Sequence, residues 1–235
     1  CSRKRWRQDT GGRNLARVFT TTAKPNSGEE VEALKSCYQP GLTEAGVDEA
    51  GRGALAGPVV AAAVILPADF SDPLIRDSKL LTSRQRNEAR KRILAEAVCW
   101  GLGMCSVQQI DRENILQAAF SAMHEAIEAL GIEADLLLID GNRFRPHRLA
   151  HVCVVKGDRQ YASIAAASIL AKTYRDELME ELDPVYPAYG WAQNKGYPTR
   201  AHREALQRVG LSPWHRRSFA CIPAPGLFGT RQEKG

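Results

Sequence analysis

Gly46-Val-Asp-Glu-Ala-Gly-Arg-Gly53, with the apolar run Val59–Leu66 just beyond it, decides how this chain folds. Glu44 to Asp48 reads as one strand, and the valine- and isoleucine-rich run as a second, buried strand that Pro67 closes. Two adjacent acids thus stand at a strand end, before a turn in which Gly51 and Gly53 flank Arg52. Neighbouring side chains of an extended strand point to opposite faces. Asp48 and Glu49 serve one site only if the strand ends or twists there, which the glycines permit. Such a pair suits a metal or acid/base site and, taken alone, suits a solvated strand terminus better.

Working outward, Thr82 or Ser83 offers an N-cap for a helix to about Val98. Cys99 to Cys105 reads as a short strand. Asp111 is expected to cap one helix reaching about Leu130, with Ile115, Ala119, Ala122, Ala126 and Leu130 on its apolar face and Gly131 at its end. The run from Asp135 ends in Asp140, and the strand His151–Val155 is followed by Lys156-Gly-Asp158. A long helix spans Tyr161 to about Glu181, and its alanines let it lie close on a sheet. Pro184 and Pro187 break it, and a last helix runs from Thr199 to Val209. Strands and helices in this order predict an α/β domain with a helical C-terminal part.

The 235 residues are 44% hydrophobic and 25% charged, with a net charge of +5 and a pI near 8.9. That mild basic excess permits an anionic partner such as nucleic acid without requiring one. Six cysteines with no Cys-x-x-Cys spacing suit a reduced, cytoplasmic protein. No apolar run approaches a membrane span, no secretory segment is visible, and a monomer is the default expectation. Residues 1–40 read as a basic, disordered extension, 41–220 as the catalytic domain and 221–235 as a flexible tail.

Acids stand at three predicted strand ends: Asp48 with Glu49, Asp140, and Asp158. In an open α/β sheet the active site lies outside the strand ends, so these carboxylates are expected to converge. Gathered together they repel one another unless cations sit among them, and hard divalent ions are the natural answer. Two such ions about 4 Å apart activate a water and stabilise the leaving oxygen of a phosphodiester. Singly, Asp140 also suits a turn and Asp158 a helix cap.

From about residue 43 to Phe219 the chain closely resembles the bacterial ribonuclease HII family. The matching pieces are Asp48-Glu-Ala-Gly-Arg-Gly53, Asp77-Ser-Lys-Leu80, Ile139-Asp-Gly-Asn142, Lys156-Gly-Asp158 with Ser163 to Lys172, Lys195-Gly-Tyr-Pro-Thr199 and His215-Arg-Arg-Ser-Phe219. The resemblance implies a ribonuclease H-like fold: a five-stranded mixed sheet flanked by helices, then a helical C-terminal region. It implies cleavage of RNA in RNA–DNA hybrids and nicking 5′ to a single ribonucleotide in duplex DNA, leaving a 5′-phosphate and a 3′-hydroxyl. Magnesium or manganese would be bound by Asp48, Glu49, Asp140 and Asp158, the catalytic carboxylates, with Asp48 bridging two ions. Gly51, Arg52, Gly53 and Tyr197 would read the ribose. Lys79, Lys172, Lys195, Arg216 and Arg217 are candidates for phosphate contact, and ordinary solvated or ion-paired positions describe each of them as well. Ser163 and Ser168 either face the site or pack against the sheet.

Two rivals stand beside this reading. A metal-dependent DNA nuclease or resolvase of the same fold would share the carboxylates, but Arg52 and Tyr197 argue against it. A dinucleotide-binding oxidoreductase would use Gly51-x-Gly53-x-x-Ala56, but that fingerprint must open a helix, whereas a strand follows.

Overall fold

The computed structural model describes residues 34–75 and 78–219. The extension before residue 34, the tail from residue 221, and Asp77 lie outside them. Among the described residues one five-stranded sheet forms, with strand order β3-β2-β1-β4-β5. Its strands are β1 (Glu44–Ala50), β2 (Val59–Ile65), β3 (Cys99–Cys105), β4 (Leu136–Asp140) and β5 (His151–Val154). β2 is antiparallel to both β1 and β3, whereas β1, β4 and β5 run parallel. The three parallel strands therefore finish at one edge of the sheet, and all the expected acids lie there.

The helices are α1 (Ser83–Glu96), α2 (Val107–Glu113), α3 (Ile115–Glu128), α4 (Ala162–Leu182), α5 (Trp191–Asn194) and α6 (Arg200–Val209). α4 and α1 cover one face of the sheet through Ala62, Val64, Ile93, Ala166 and Ile169. α3 covers the other through Val47, Ala61, Ala119, Ala122 and Ala126. Glycines let the helix backbones come this close. A Cβ on Gly46 would stand 2.2 Å from the carbonyl carbon of Ser163, and one on Gly103 2.0 Å from the Ala122 oxygen. None of the described helices is long and apolar enough to cross a membrane.

Three expectations need correction. The single helix expected from Asp111 is two helices, broken at Asn114, whose φ of 74° leaves the helical region. Asn114 Oδ1 caps α3 by accepting from the amides of Leu116 and Gln117, while Ser106 caps α2. Asp111 instead accepts hydrogen bonds from the amides of Arg217 and Ser218 and from the Ser218 hydroxyl. Residues 34–40, assigned to the extension, lie against the domain: the Lys35 amide donates to Gln160, and its carbonyl accepts from Ala162. α1 does begin at Thr82, which forms a reciprocal cap with Gln85.

The C-terminal part closes over Leu55, Ala56 and Met179 with Tyr189, Trp191, Ala205 and Leu206. Inside it His202 and His215 touch, Nε2 to Nε2, at 3.1 Å. The Trp191 indole can only donate, so His202 Nε2 accepts and its Nδ1–H donates to the Tyr197 carbonyl at 2.9 Å. His215 Nδ1 accepts from the Ser212 amide at 2.9 Å, which leaves its Nε2–H to point at His202. The network is satisfied only with both rings neutral. Burial pushes both imidazoles down, and His215 falls to about 4, helped by the neighbouring His202.

In the unfolded chain these rings take a proton near pH 6.5, and in the folded one they resist it. The unfolded state thus binds more protons in that window, and the pair's contribution, full above about pH 6.5, is lost as the pH falls toward 4. The melting temperature should drop more steeply between about pH 6.5 and 5 in the native protein than in His215→Asn. Equal slopes would refute the neutral-pair reading.

Candidate active site

Asp48 and Glu49 sit inside β1, not at its end: the pairing with β2 continues in register through Asp48↔Ala62, Glu49↔Ala61 and Ala50↔Val60. The expected ending or twist does not occur, because the turn begins only at Gly51, whose φ is +97°. The two side chains accordingly leave the strand on opposite faces. Asp48, only 6% exposed, turns toward α4, where it bonds Ser168. Ser168 in turn lies 3.0 Å from the Ser78 hydroxyl. Glu49 faces the α3 side and lines a cavity of about 220 Å³ with Arg52, Phe120, Met123, Asp140 and Asn142.

Asp140 ends β4. Because Val47 pairs with Ile139, Asp140 stands level with Asp48 on the neighbouring strand. It accepts the Gly157 amide at 2.7 Å, which draws in the turn after β5. That turn carries Asp158, 3% exposed, with Lys79 Nζ at 3.4 Å from its carboxylate. The four acids thus occupy one edge through three adjacent parallel strands.

Their charges work against one another. Burial lifts the Asp48 carboxyl well above its usual range, and the charges of Glu49 and Asp140 add to the rise. Glu49 is raised by burial, opposed by Arg52 and reinforced by Asp140. Asp140 is raised by burial, opposed by the Gly157 amide and reinforced by Asp158. Among the described residues no three His, Cys, Asp or Glu side chains are gathered closely enough to hold a metal ion as they stand. The expected convergence is therefore a set of repelling neighbours rather than a closed cage. As a donor set it still fits hard divalent cations: all oxygen, and destabilised by burial and by mutual repulsion that a cation would relieve.

The Gly51–Pro58 loop and the Lys195–Tyr197 loop are stitched together, since the amides of Leu55 and Ala56 both donate to the Gly196 carbonyl. Arg52 is half exposed and bonds Glu49 Oε1 at 3.0 Å. The Tyr197 ring has Lys172 Nζ and Arg175 Cζ each 5.2 Å from its centroid. Lys172 pairs with Asp176 and Lys195 with Glu180, both at 2.7 Å. Ser163 is buried, and its backbone lies against Gly46 of β1.

Arg216 does not belong among the phosphate-contacting residues. It is fully buried, and its guanidinium donates to the carbonyls of Gly51, Arg52, Gly57 and Pro58. Arg217 beside it is exposed, with its amide held by Asp111. Sequence reasoning passed over Arg175, also fully buried, which donates to Pro58, Ala56 and Lys195 carbonyls at 2.9–3.0 Å. The available signal was its place in the buried stripe of α4, four residues from both Ala171 and Met179.

The family model described as Ribonuclease HII matches residues 45–222. A ribonuclease HII of Porphyromonas gingivalis is 59% identical over 179 residues, 76% of this chain and 89% of that protein. One of Parabacteroides distasonis is 55% identical over 192 residues, 81% and 96% of the two. Among solved structures, the ribonuclease H2 of Pyrococcus horikoshii OT3 superposes with a TM-score of 0.64 at 25% identity, covering 76% of this chain and 94% of that one.

A carboxylate whose folded-state pKa is raised opposes folding while ionised, and stability is regained only as the pH falls through that pKa. Asp48→Asn removes the charge at nearly constant volume, so its melting temperature at pH 7 should exceed that of the native protein without added metal. A lower melting temperature would show that Asp48 is already compensated.

Proposed function

Since this chain belongs to the ribonuclease HII family, whose activity is hydrolysis of the RNA strand in RNA–DNA hybrids, we propose that it also nicks duplex DNA 5′ to a single embedded ribonucleotide. The products would be a 5′-phosphate and a 3′-hydroxyl, and the protein would act as a cytoplasmic monomer. One observation carries the reading: the repelling carboxylates lie directly beside the Gly51–Gly53 turn, which is itself hydrogen-bonded to the Lys195–Tyr197 loop. A cleaving edge and a sugar-reading surface are thereby joined.

The family is metal-dependent, and here Asp48, Glu49, Asp140 and Asp158 would hold magnesium or manganese, in two sites. Bound there, such ions supply an activated water and stabilise the leaving oxygen. The protein's own residues supply the rest. Telling RNA from DNA requires contact with the 2′-hydroxyl. Gly53 has open space on its Cβ side, so a sugar can approach the backbone closely. Arg52, half exposed, offers donors to the nucleic-acid backbone once it releases Glu49. Tyr197 would pack on the ribose, with Lys172 and Arg175 holding its ring. Lys79, Lys172 and Lys195 would steady phosphates, exchanging their present carboxylate partners for them.

The decisive measurement is cleavage of two labelled duplexes, one all-DNA and one with a single ribonucleotide, with and without magnesium. Cutting only the second, and only with metal, is expected; cutting both equally would instead mark a DNA nuclease. Asp48→Asn should lower the rate by more than about a hundredfold, beyond the loss usual for a residue that only supports a ligand. Tyr197→Ala should reduce cleavage of the single-ribonucleotide duplex more than that of a long hybrid, and an unchanged rate would remove its assigned role.

A further inference from the structure

Two fully buried guanidinium groups meet the same short loop from different parts of the chain. Arg175, on α4, takes the carbonyls of Ala56 and Pro58 and also that of Lys195. Arg216, after α6, takes those of Gly51, Arg52, Gly57 and Pro58. The carbonyls of a loop that pairs with no strand are thus turned inward onto rigid, forked donors. In a trans peptide the carbonyl and the next N–H point in opposite directions. With Gly51 and Arg52 carbonyls drawn toward Arg216, the amides of Arg52 and Gly53 are turned away from it, and a Cβ on Gly53 would meet nothing within 4 Å. Arg175 does a second thing: besides holding the Lys195 carbonyl, its guanidinium stands 5.2 Å from the Tyr197 ring centroid. It even fixes the residue type at 51, where a Cβ would come within 2.0 Å of its Nε.

We infer that Arg175 and Arg216 are positioning residues for ribose discrimination. Arg175 locks the Gly51–Pro58 loop to the Lys195–Tyr197 loop and Arg216 fixes the carbonyls within the first of them, so that the outward amides and the tyrosine ring present one rigid face to the 2′-hydroxyl of a single ribonucleotide. This rests on the reading of the site proposed above. The role differs from that of a core residue in one measurable respect: its effect runs through Tyr197.

The test is a double-mutant cycle of Arg175→Lys and Tyr197→Ala, read as kcat/KM on the single-ribonucleotide duplex at a temperature where every variant is folded. Lysine keeps the charge but offers no fork to three carbonyls. Arg175→Lys should lower kcat/KM by about 10- to 100-fold, as loss of a supporting residue does, and should lower it far less when Tyr197 is already alanine. The ratio of single-ribonucleotide to long-hybrid cleavage should fall with it, while the magnesium-induced rise in melting temperature persists. Multiplying effects in the cycle, or an unchanged ratio, would overturn the inference. Should Arg175→Lys not fold, Arg216→Lys enters the same cycle, and if neither folds the two arginines are core residues and the inference fails. A native protein that ignores the single-ribonucleotide duplex would refute the proposed activity instead.

Discussion

A buried backbone carbonyl must find a donor, and the chain between β1 and β2 presents several at once. The loop Gly51–Pro58 leaves the sheet beside four acids and returns, among the described residues, with a single β-bridge, Ala56 to His215, as its backbone pairing. Left unbonded, each such group would cost roughly 1–3 kcal/mol. Much of the rest of the molecule answers this requirement. α4 carries Arg175 to the loop, the segment after α6 carries Arg216, and Gly196 and Trp214 supply acceptors for the loop's own amides. The helical C-terminal part is therefore not an appendage to the sheet but the other half of the loop's hydrogen bonding.

The acids impose the opposite kind of demand. Burial and the neighbouring carboxylates raise the cost of ionisation, and Arg52, Lys79, the Ser168 hydroxyl and a few backbone amides offset part of it. Stability is held back at the place where a substrate and its ions would restore it. The two halves of the site thus follow different rules. The Gly51–Pro58 loop has its carbonyls satisfied by buried donors, whereas the edge that carries the acids is left electrostatically open.

Much of this was legible in the residues. All five strands were legible as short segments, β2 from its valines and isoleucine, and the acids at 48, 140 and 158 marked the edge where the parallel strands finish. What failed did so for physical reasons. The glycines after Glu49 suggested that β1 ends at the acids, but β2 pairs with it as far as Ala50, so the turn falls later. Taking Asp111 as the cap of the helix that carries Ile115 to Leu130 hid the break at Asn114, a residue type that tolerates positive φ. Arg216 was misplaced because sequence displays charge and not burial. His202 and His215 are far enough apart along the chain that nothing local announces their contact.

The Arg216 clamp joins residues 165 positions apart, and Asp111 fastens the two residues that follow it. A chain emerging from the ribosome would expose its first acids long before Arg216 exists. The sheet can form early, yet the loop beside its acids would have unmet carbonyls until nearly the last described residue had been made.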